Sequence, residues 1–325
     1  MQWRKAVLAG GAAIGAVATF NALVRRGMAP PASFIGGEEE WFDWHGHRIF
    51  YTRRGHGTPL LLVHSIHAAA SSFEWRSNVD ALAESHTVYT IDLLGFGCSD
   101  RPDVRYSAQL YLHLIDDFAR YVVGAPCTLI ASSLSAAYAA VLAARDPGRY
   151  PALVLICPTG LSRWHEPAGA GGDFARLIID APVVGTALFN TLVSRPSLRR
   201  FLERAYADDS LVTEELIDIH FATAHQPGAR FAPAALLSQH LNIDVREAMR
   251  RLTQPLLLVW GEQAEEVPVE DVRGFRALKP DLELAIFDPS GSLPHDELAG
   301  EFNRLVAEFV RGLGEAVWKE ERTAG

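Results

Sequence analysis

The sequence has few cysteines and no excess of positive charge, and each shortage excludes classes of function. Cys98, Cys127 and Cys157 are an odd number at no metal-ligand spacing, so we interpret them as small buried residues. The formal net charge is −9 and no basic stripe occurs, which argues against a nucleic-acid partner. The sequence contains nothing resembling a dinucleotide loop, a phosphate loop or a metal site, so we predict neither a cofactor nor a bound metal.

The N-terminal region differs from the rest of the chain. Ala6–Val24 is an uncharged run of 19 residues, close to the roughly 20 apolar residues that cross a bilayer as a helix. We predict a membrane anchor or signal in residues 1–27 and a Pro-rich linker in residues 28–40. The alternatives are a cleaved signal, which would make the protein secreted, and a soluble helix. Two basic residues stand on each side of the run, so charge does not assign a membrane face.

Strand patterns recur after the linker, with helical patterns between them. An alternating pattern that indicates a strand begins at His47, and further strand patterns, mostly continuous apolar runs, begin at Pro59, Thr87, Cys127, Ala152, Pro255 and Leu282. The helical patterns cover Ser71–Ala83, Ala108–Val123, Leu134–Arg145, Val269–Leu278 and Glu301–Leu313. This alternation predicts an α/β fold with a mostly parallel, doubly wound sheet.

One interval, residues 159–243, carries helical patterns and no strand pattern. We predict that it forms a helical cap between two parts of a core, residues 41–158 and 244–318, followed by a tail at 319–325. Ligands of open α/β sheets bind at the carboxyl ends of the strands, and a cap there would exclude water from the ligand.

The stretch Ala131–Ser135, reading ASSLS, joins a predicted strand to a predicted helix. A sharp strand–turn–helix presents one side chain at its apex and directs helix N–H groups to the same point. Ser133 stands at this apex. The small residues Ala131 and Ser135 on either side allow the strand and the helix to approach each other.

These features resemble the cap-containing α/β-hydrolase family of esterases and epoxide hydrolases, from about His47 to Val317. Ala131–Ser135 is similar to the family's G-x-S-x-G nucleophile turn, with both glycines replaced by other small residues. Further similar stretches are LLVHSIHAAASSFEW, IDLLGFGCSDRP, CPTGLSR, LLLVWGE and PSGSLPHDE. The resemblance implies that the cap is inserted after the sixth strand of the sheet and that Ser133 is the nucleophile of acyl transfer.

The resemblance also implies an oxyanion hole built from backbone groups. Its donors would be the N–H groups of Ile66 and Leu134. Ser65 stands where the family has glycine, and this changes the backbone angles open to the loop. His64 matches the family's structural histidine.

Two members of the family's catalytic relay are absent from their usual positions. Ala264 replaces the acid, although Glu265 and Glu266 follow it at once. Ser292 replaces the catalytic histidine. His295 matches the family's second histidine, which has a structural role or acts here as a displaced base.

His67, beside the oxyanion donors, is the other candidate base or else a wall of the pocket.

Two main hypotheses about the function therefore remain open. The first is a serine hydrolase of small apolar esters with a rearranged relay of Ser133, His295 or His67, and Glu265 or Glu266. The second is a hydrolase-fold protein that binds an apolar ligand or partner without hydrolysis. A third hypothesis is non-hydrolytic chemistry in the same pocket, but no residue of the sequence favours it.

Overall fold

A computed structural model describes residues 19, 35–166, 168–169, 171–172, 181 and 183–323, with side chains as far as residue 313. No helix in these ranges is long and apolar enough to cross a membrane. The predicted anchor lies outside the described residues, apart from Thr19, and stays a prediction.

The core is one eight-stranded sheet, as the alternating patterns predicted. Its spatial order is β1-β2-β4-β3-β5-β6-β7-β8. Only the pairs β1–β2 and β2–β4 are antiparallel, and the other five pairs are parallel. The strands are β1 Glu38–Trp44, β2 His47–Gly55, β3 Thr58–Val63, β4 His86–Ile91, β5 Thr128–Ser132, β6 Leu153–Ile156, β7 Leu256–Gly261 and β8 Glu283–Phe287.

The sequence patterns did not indicate β1. This edge strand begins with three glutamates and is buried on one face at most, so it lacks the apolar run of an inner strand. By contrast, every residue of β4, β5, β6 and β7 is buried. Residues 38–40, assigned above to the linker, are therefore the first part of the sheet.

Helices cover the sheet on both faces. Those of the core are α1 Val79–Ala83, α2 Ala108–Phe118, α3 Ser133–Arg145, α8 Arg246–Arg251, α9 Val272–Leu278, α10 Pro294–Glu297 and α11 Ala299–Thr323. The predicted helix over 71–83 is interrupted, because a 3₁₀ turn, Ser72–Trp75, precedes α1. Between them, the side-chain amide of Asn78 donates to the carbonyl of His295 at 2.7 Å. Helix α11 continues through residues 319–323 of the predicted tail.

The cap lies between β6 and β7, and its described residues contain helices and no strand. These helices are α4 Val184–Leu192, α5 Arg195–Ala205, α6 Glu214–Ala224 and α7 Phe231–Leu237. Ala69, in the loop after β3, belongs to the same apolar cluster as Phe189 and Leu198 of the cap. The cap is thus packed directly onto the loop that the sequence predicted to hold the oxyanion.

Candidate active site

The turn between β5 and α3 has a strained backbone at its apex. Strand β5 ends at Ser132, and Ser133 begins α3 with a φ of 54°. A non-glycine residue with positive φ is uncommon and costs on the order of 1–3 kcal/mol, which the surrounding structure must offset. The hydroxyl of the neighbouring Ser135 is buried and donates to the carbonyl of His64 at 2.6 Å, which ties the turn to the loop after β3.

Ser133 faces a cavity of about 170 Å³ between the sheet and the cap. A cavity of roughly this size holds a group comparable to benzene. Its polar lining comprises Ser65, His67, Ser71, Glu74, Arg76, Ser132, Ser133, Tyr206, His220, Glu266, Ser292 and Asp296. Its apolar lining comprises Ile66, Ala69, Phe73, Leu134, Cys157, Trp164, Phe201, Leu202, Ala205, Leu236, Val267 and Leu293.

The residues of the predicted oxyanion donors, Ile66 and Leu134, line the same cavity as Ser133. Leu134 is the second residue of α3, a position whose N–H has no carbonyl partner within the helix. The N–H of Ile66 likewise bonds to no described residue. His64 is fully buried, and its Nε2 accepts from the N–H of Leu93 at 3.1 Å, so it holds the base of the loop and does not face the cavity.

His295 does not lie in the cavity with Ser133. It is fully buried, with its ring 4.7 Å from that of Trp75 and 5.8 Å from that of Phe302. Its Nε2 lies 3.1 Å from Oε1 of Glu74. The structure therefore separates two residues that the sequence analysis placed in one relay.

Glu74 was not singled out in the sequence, although it is one of the two largely buried carboxylates that line the cavity, with Asp296. Its Oε2 accepts from the backbone N–H of Ser65 at 2.8 Å and from the Ser65 hydroxyl at 2.5 Å. Burial by itself would raise the pKa of this carboxyl. The interactions with His295 and with the Ser65 hydroxyl outweigh burial and lower the pKa to about 2, so Glu74 is ionised at neutral pH.

Two imidazoles line the cavity, His67 and His220, and their rings stack at 5.8 Å with an angle of 12° between planes. Burial, reinforced by the neighbouring His220, lowers the pKa of His67 to about 3. Burial also lowers the pKa of His220 to about 4. Both rings are therefore neutral at pH 7.

The hydrogen bonds of these neutral rings define which nitrogen carries the proton. Nδ1 of His67 accepts from the N–H of Ala69 at 3.3 Å, so the proton of His67 is on Nε2. Nδ1 of His220 lies 2.8 Å from the carbonyl of Leu216, to which it must donate, so the lone pair of His220 is on Nε2. Within the described residues, neither Nε2 has a hydrogen-bond partner. His67 thus offers a donor and His220 an acceptor.

Ala264 and Ser292, which stand where the family has its acid and its histidine, carry no carboxylate and no imidazole. Ala264 is 5% exposed. Ser292 donates its N–H to the carbonyl of Ala205 at 2.7 Å, while its buried hydroxyl has no partner within the described part of the chain.

Glu265 is exposed and lies 3.5 Å from Nε of Arg204, outside the cavity lining. Glu266, by contrast, lines the cavity, and desolvation there raises its pKa.

The structure thus brings Ser133, Ile66, Leu134, Ser65, His67 and Ser292 together and leaves out His295 and Glu265. The hydroxyl of Ser133 has no hydrogen-bond partner among the residues described. It has neither the imidazole nor the carboxylate that a serine nucleophile ordinarily uses.

Comparison with known proteins identifies the family of this chain. Residues 41–305 match the model of the alpha/beta hydrolase family. The chain is 26% identical over 268 residues to 2-hydroxymuconate semialdehyde hydrolase of Pseudomonas sp. (strain CF600), covering 79% of this chain and 88% of that protein.

Solved structures show the same fold. A meta-cleavage product hydrolase from Pseudomonas fluorescens IP01 superimposes with a TM-score of 0.70 at 22% identity, covering 86% of this chain and 98% of that one. A membrane phospholipase A superimposes with a TM-score of 0.70 at 23% identity, covering 96% of each chain. The eight-stranded sheet, the serine turn and the family match together show that this chain belongs to the α/β hydrolase family.

Proposed function

We propose that the protein is a serine esterase that cleaves small apolar esters slowly, with Ser133 as the nucleophile. The observation that carries the proposal is the φ of 54° at Ser133, at the apex of a turn that faces the cavity. Backbone strain of this kind persists where the surrounding structure maintains it, and it aims the hydroxyl at the ligand. The named hydrolases among its relatives support hydrolysis as the reaction class.

The proposed reaction needs a proton acceptor other than the missing histidine, and His220 suits this role better than His67. Oγ of Ser133 would attack the ester carbonyl carbon while its proton passes to Nε2 of His220. The N–H groups of Ile66 and Leu134 would hold the oxyanion. The departing alkoxide would take the proton from His220, and water would then cleave the acyl-serine to release the acid and restore Ser133.

Slow turnover follows from the weakness of this acceptor. A general base works best when its pKa lies near the working pH, whereas burial holds the pKa of His220 at about 4. Removing the base from a serine hydrolase costs on the order of a millionfold in turnover, and the oxyanion hole and binding alone retain roughly 10³–10⁴ over water. We expect the turnover of this protein to lie above that residual level and below the turnover of a serine hydrolase with a complete catalytic triad.

A fluorophosphonate probe tests the nucleophile directly. We expect covalent labelling of the wild-type protein and none of Ser133→Ala. Ser85→Ala, at an exposed serine directly before β4 and outside the cavity lining, should label like the wild type. Wild-type protein that is folded by circular dichroism and yet unlabelled would overturn the covalent mechanism.

A second candidate function is binding without turnover, and specific observations favour it. The Ser133 hydroxyl lacks an imidazole partner among the described residues, and Ala264 and Ser292 stand at both relay positions. If this function holds, a short apolar ester such as ethyl hexanoate should raise the melting temperature and remain uncleaved. A burst of product from p-nitrophenyl butyrate that disappears in Ser133→Ala would decide for the esterase.

The membrane anchor is a separate part of the proposal. It rests on the uncharged run Ala6–Val24 and is supported by the membrane phospholipase A, whose structure aligns with 96% of this chain. Expression with and without residues 1–27 tests it. We expect the full chain to stay with membranes after carbonate extraction and the shortened chain to be released. Full chain in the soluble fraction would refute the anchor, and N-terminal sequencing would reveal a cleaved signal.

A further inference from the structure

The loop after β3 departs from the family pattern at Ser65, which stands in place of glycine. In this structure both hydrogen-bond donors of Ser65 go to one oxygen of Glu74, the N–H at 2.8 Å and the hydroxyl at 2.5 Å. A single carboxylate oxygen thus holds the loop at the residue that precedes the oxyanion donor Ile66.

Glu74 is itself held firmly. It lies in the 3₁₀ turn Ser72–Trp75, whose first N–H, that of Ser72, donates to Oδ1 of Asp92 at 2.6 Å. The next residue, Trp75, is fully buried with its ring 4.7 Å from that of His295. His295 also lies 3.1 Å from the second oxygen of Glu74. The carboxylate therefore has a fixed position between the core and the loop.

This arrangement determines which amide of the loop stays available to a ligand. Because Glu74 accepts the N–H of Ser65, that group cannot turn into the cavity. The next N–H, that of Ile66, remains without a partner in the described structure, and Ile66 lines the same cavity as Ser133. A preorganised donor stabilises developing negative charge without reorganisation, so the fixed loop favours the transition state.

We infer that Glu74, supported by His295, is a positioning residue that fixes the oxyanion loop through Ser65. The kinetic part of this inference rests on the proposed function, whereas the structural part does not. In this inference His295 holds the carboxylate of Glu74 and does not act as a displaced base.

Kinetics on an activated ester test the positioning role. Glu74→Gln keeps the size of the side chain and removes its charge, and we expect kcat to fall on the order of 100-fold with KM changed less than about twofold. Ser65→Ala keeps the backbone hydrogen bond and should lower kcat by about fivefold. The exposed carboxylate of Glu84 provides the control, and Glu84→Gln should leave both constants unchanged. Unchanged kcat in folded Glu74→Gln would overturn the inference.

Amide hydrogen exchange tests the same inference without any need for hydrolysis. We expect the Ser65 amide to exchange slowly in the wild type and at least about tenfold faster in Glu74→Ala, with the strand amides of β5 unchanged. Equal Ser65 exchange in both proteins would overturn the inference. Faster exchange in a protein that fails to label at Ser133 would support the positioning of the loop while refuting the proposed esterase.

Discussion

The two walls of the cavity differ in what they have kept. The wall formed by the loops after β3 and β5 retains the strained Ser133, the two predicted oxyanion amides and the carboxylate of Glu74, which accepts a hydrogen bond from the Ser65 N–H. The wall formed by the loops after β7 and β8 retains its backbone packing, including the hydrogen bond from Gln263 N–H to the Ser290 carbonyl at 2.8 Å. It has neither the aspartate nor the histidine that the family places there, because Ala264 and Ser292 occupy those positions.

This difference shows that packing and chemistry depend on different parts of the residue. The oxyanion hole uses backbone N–H groups, so replacing a glycine with Ser65 keeps the donors as long as a partner such as Glu74 orients the loop. Proton transfer uses a side-chain nitrogen, and no backbone group replaces it. Ala264 and Ser292 are therefore compatible with the fold but provide neither a carboxylate nor an imidazole.

The largest effect is expected from a variant that places the acid and the histidine in the wall formed by the loops after β7 and β8. The double variant Ala264→Asp, Ser292→His supplies the acid and the base where the family has them. We expect kcat/KM for p-nitrophenyl butyrate to rise by on the order of 10³-fold or more, because the serine turn and the oxyanion donors are already in place. Adding Ser133→Ala to the double variant should abolish the gain. No gain in a folded double variant would show that the retained wall is no longer competent.

A smaller effect is expected from removing the acceptor that the cap supplies. His220→Phe keeps a planar ring beside His67 and removes the Nε2 lone pair, so we expect kcat to fall by about 100-fold, the usual contribution of a general base. His56→Phe, at an exposed histidine outside the cavity, is the matched control and should have no effect. Wild-type kcat in His220→Phe would exclude His220 as the proton acceptor.

The pH dependence distinguishes this acceptor from an ordinary histidine base. Activity requires neutral His220, and burial lowers its pKa from 6.5 to about 4, so protonation should begin to inactivate the enzyme only as the pH falls towards 4. The acid limb of kcat/KM should thus lie about 2.5 pH units below that of a histidine with an unshifted pKa. An acid limb near pH 6.5 would contradict the assignment.

The smallest effect is expected at Glu265, which the sequence analysis considered as the orienting acid. Glu265 is exposed and its partner is the exposed Arg204, so Glu265→Gln should change kcat/KM less than about twofold, as for most surface ion pairs. Parallel measurement of Glu266→Gln, at the cavity wall, provides the comparison. A large loss in Glu265→Gln alone would mean that this loop rearranges on ligand binding.

Local patterns predicted most of the fold and one wall of the site. Continuous apolar runs predicted the inner strands, and the small residues around Ser133 predicted the strained turn, because both signals depend on residues adjacent in the chain. Strand β1 was missed because its glutamates hide the pattern of an edge strand. His220 was missed because nothing in the sequence of α6 marks it as a neighbour of His67.

The sequence by itself determined the layered α/β architecture, the apex position of Ser133 and the absence of the usual acid and histidine. Each follows from residue identity and local backbone sterics. Only the tertiary structure decided that His220 of the cap meets His67, that His295 is enclosed between Trp75 and Glu74, and that Glu266 rather than Glu265 reaches the cavity. These pairings depend on how distant segments pack, and packing is set by the whole core rather than by any one stretch of sequence.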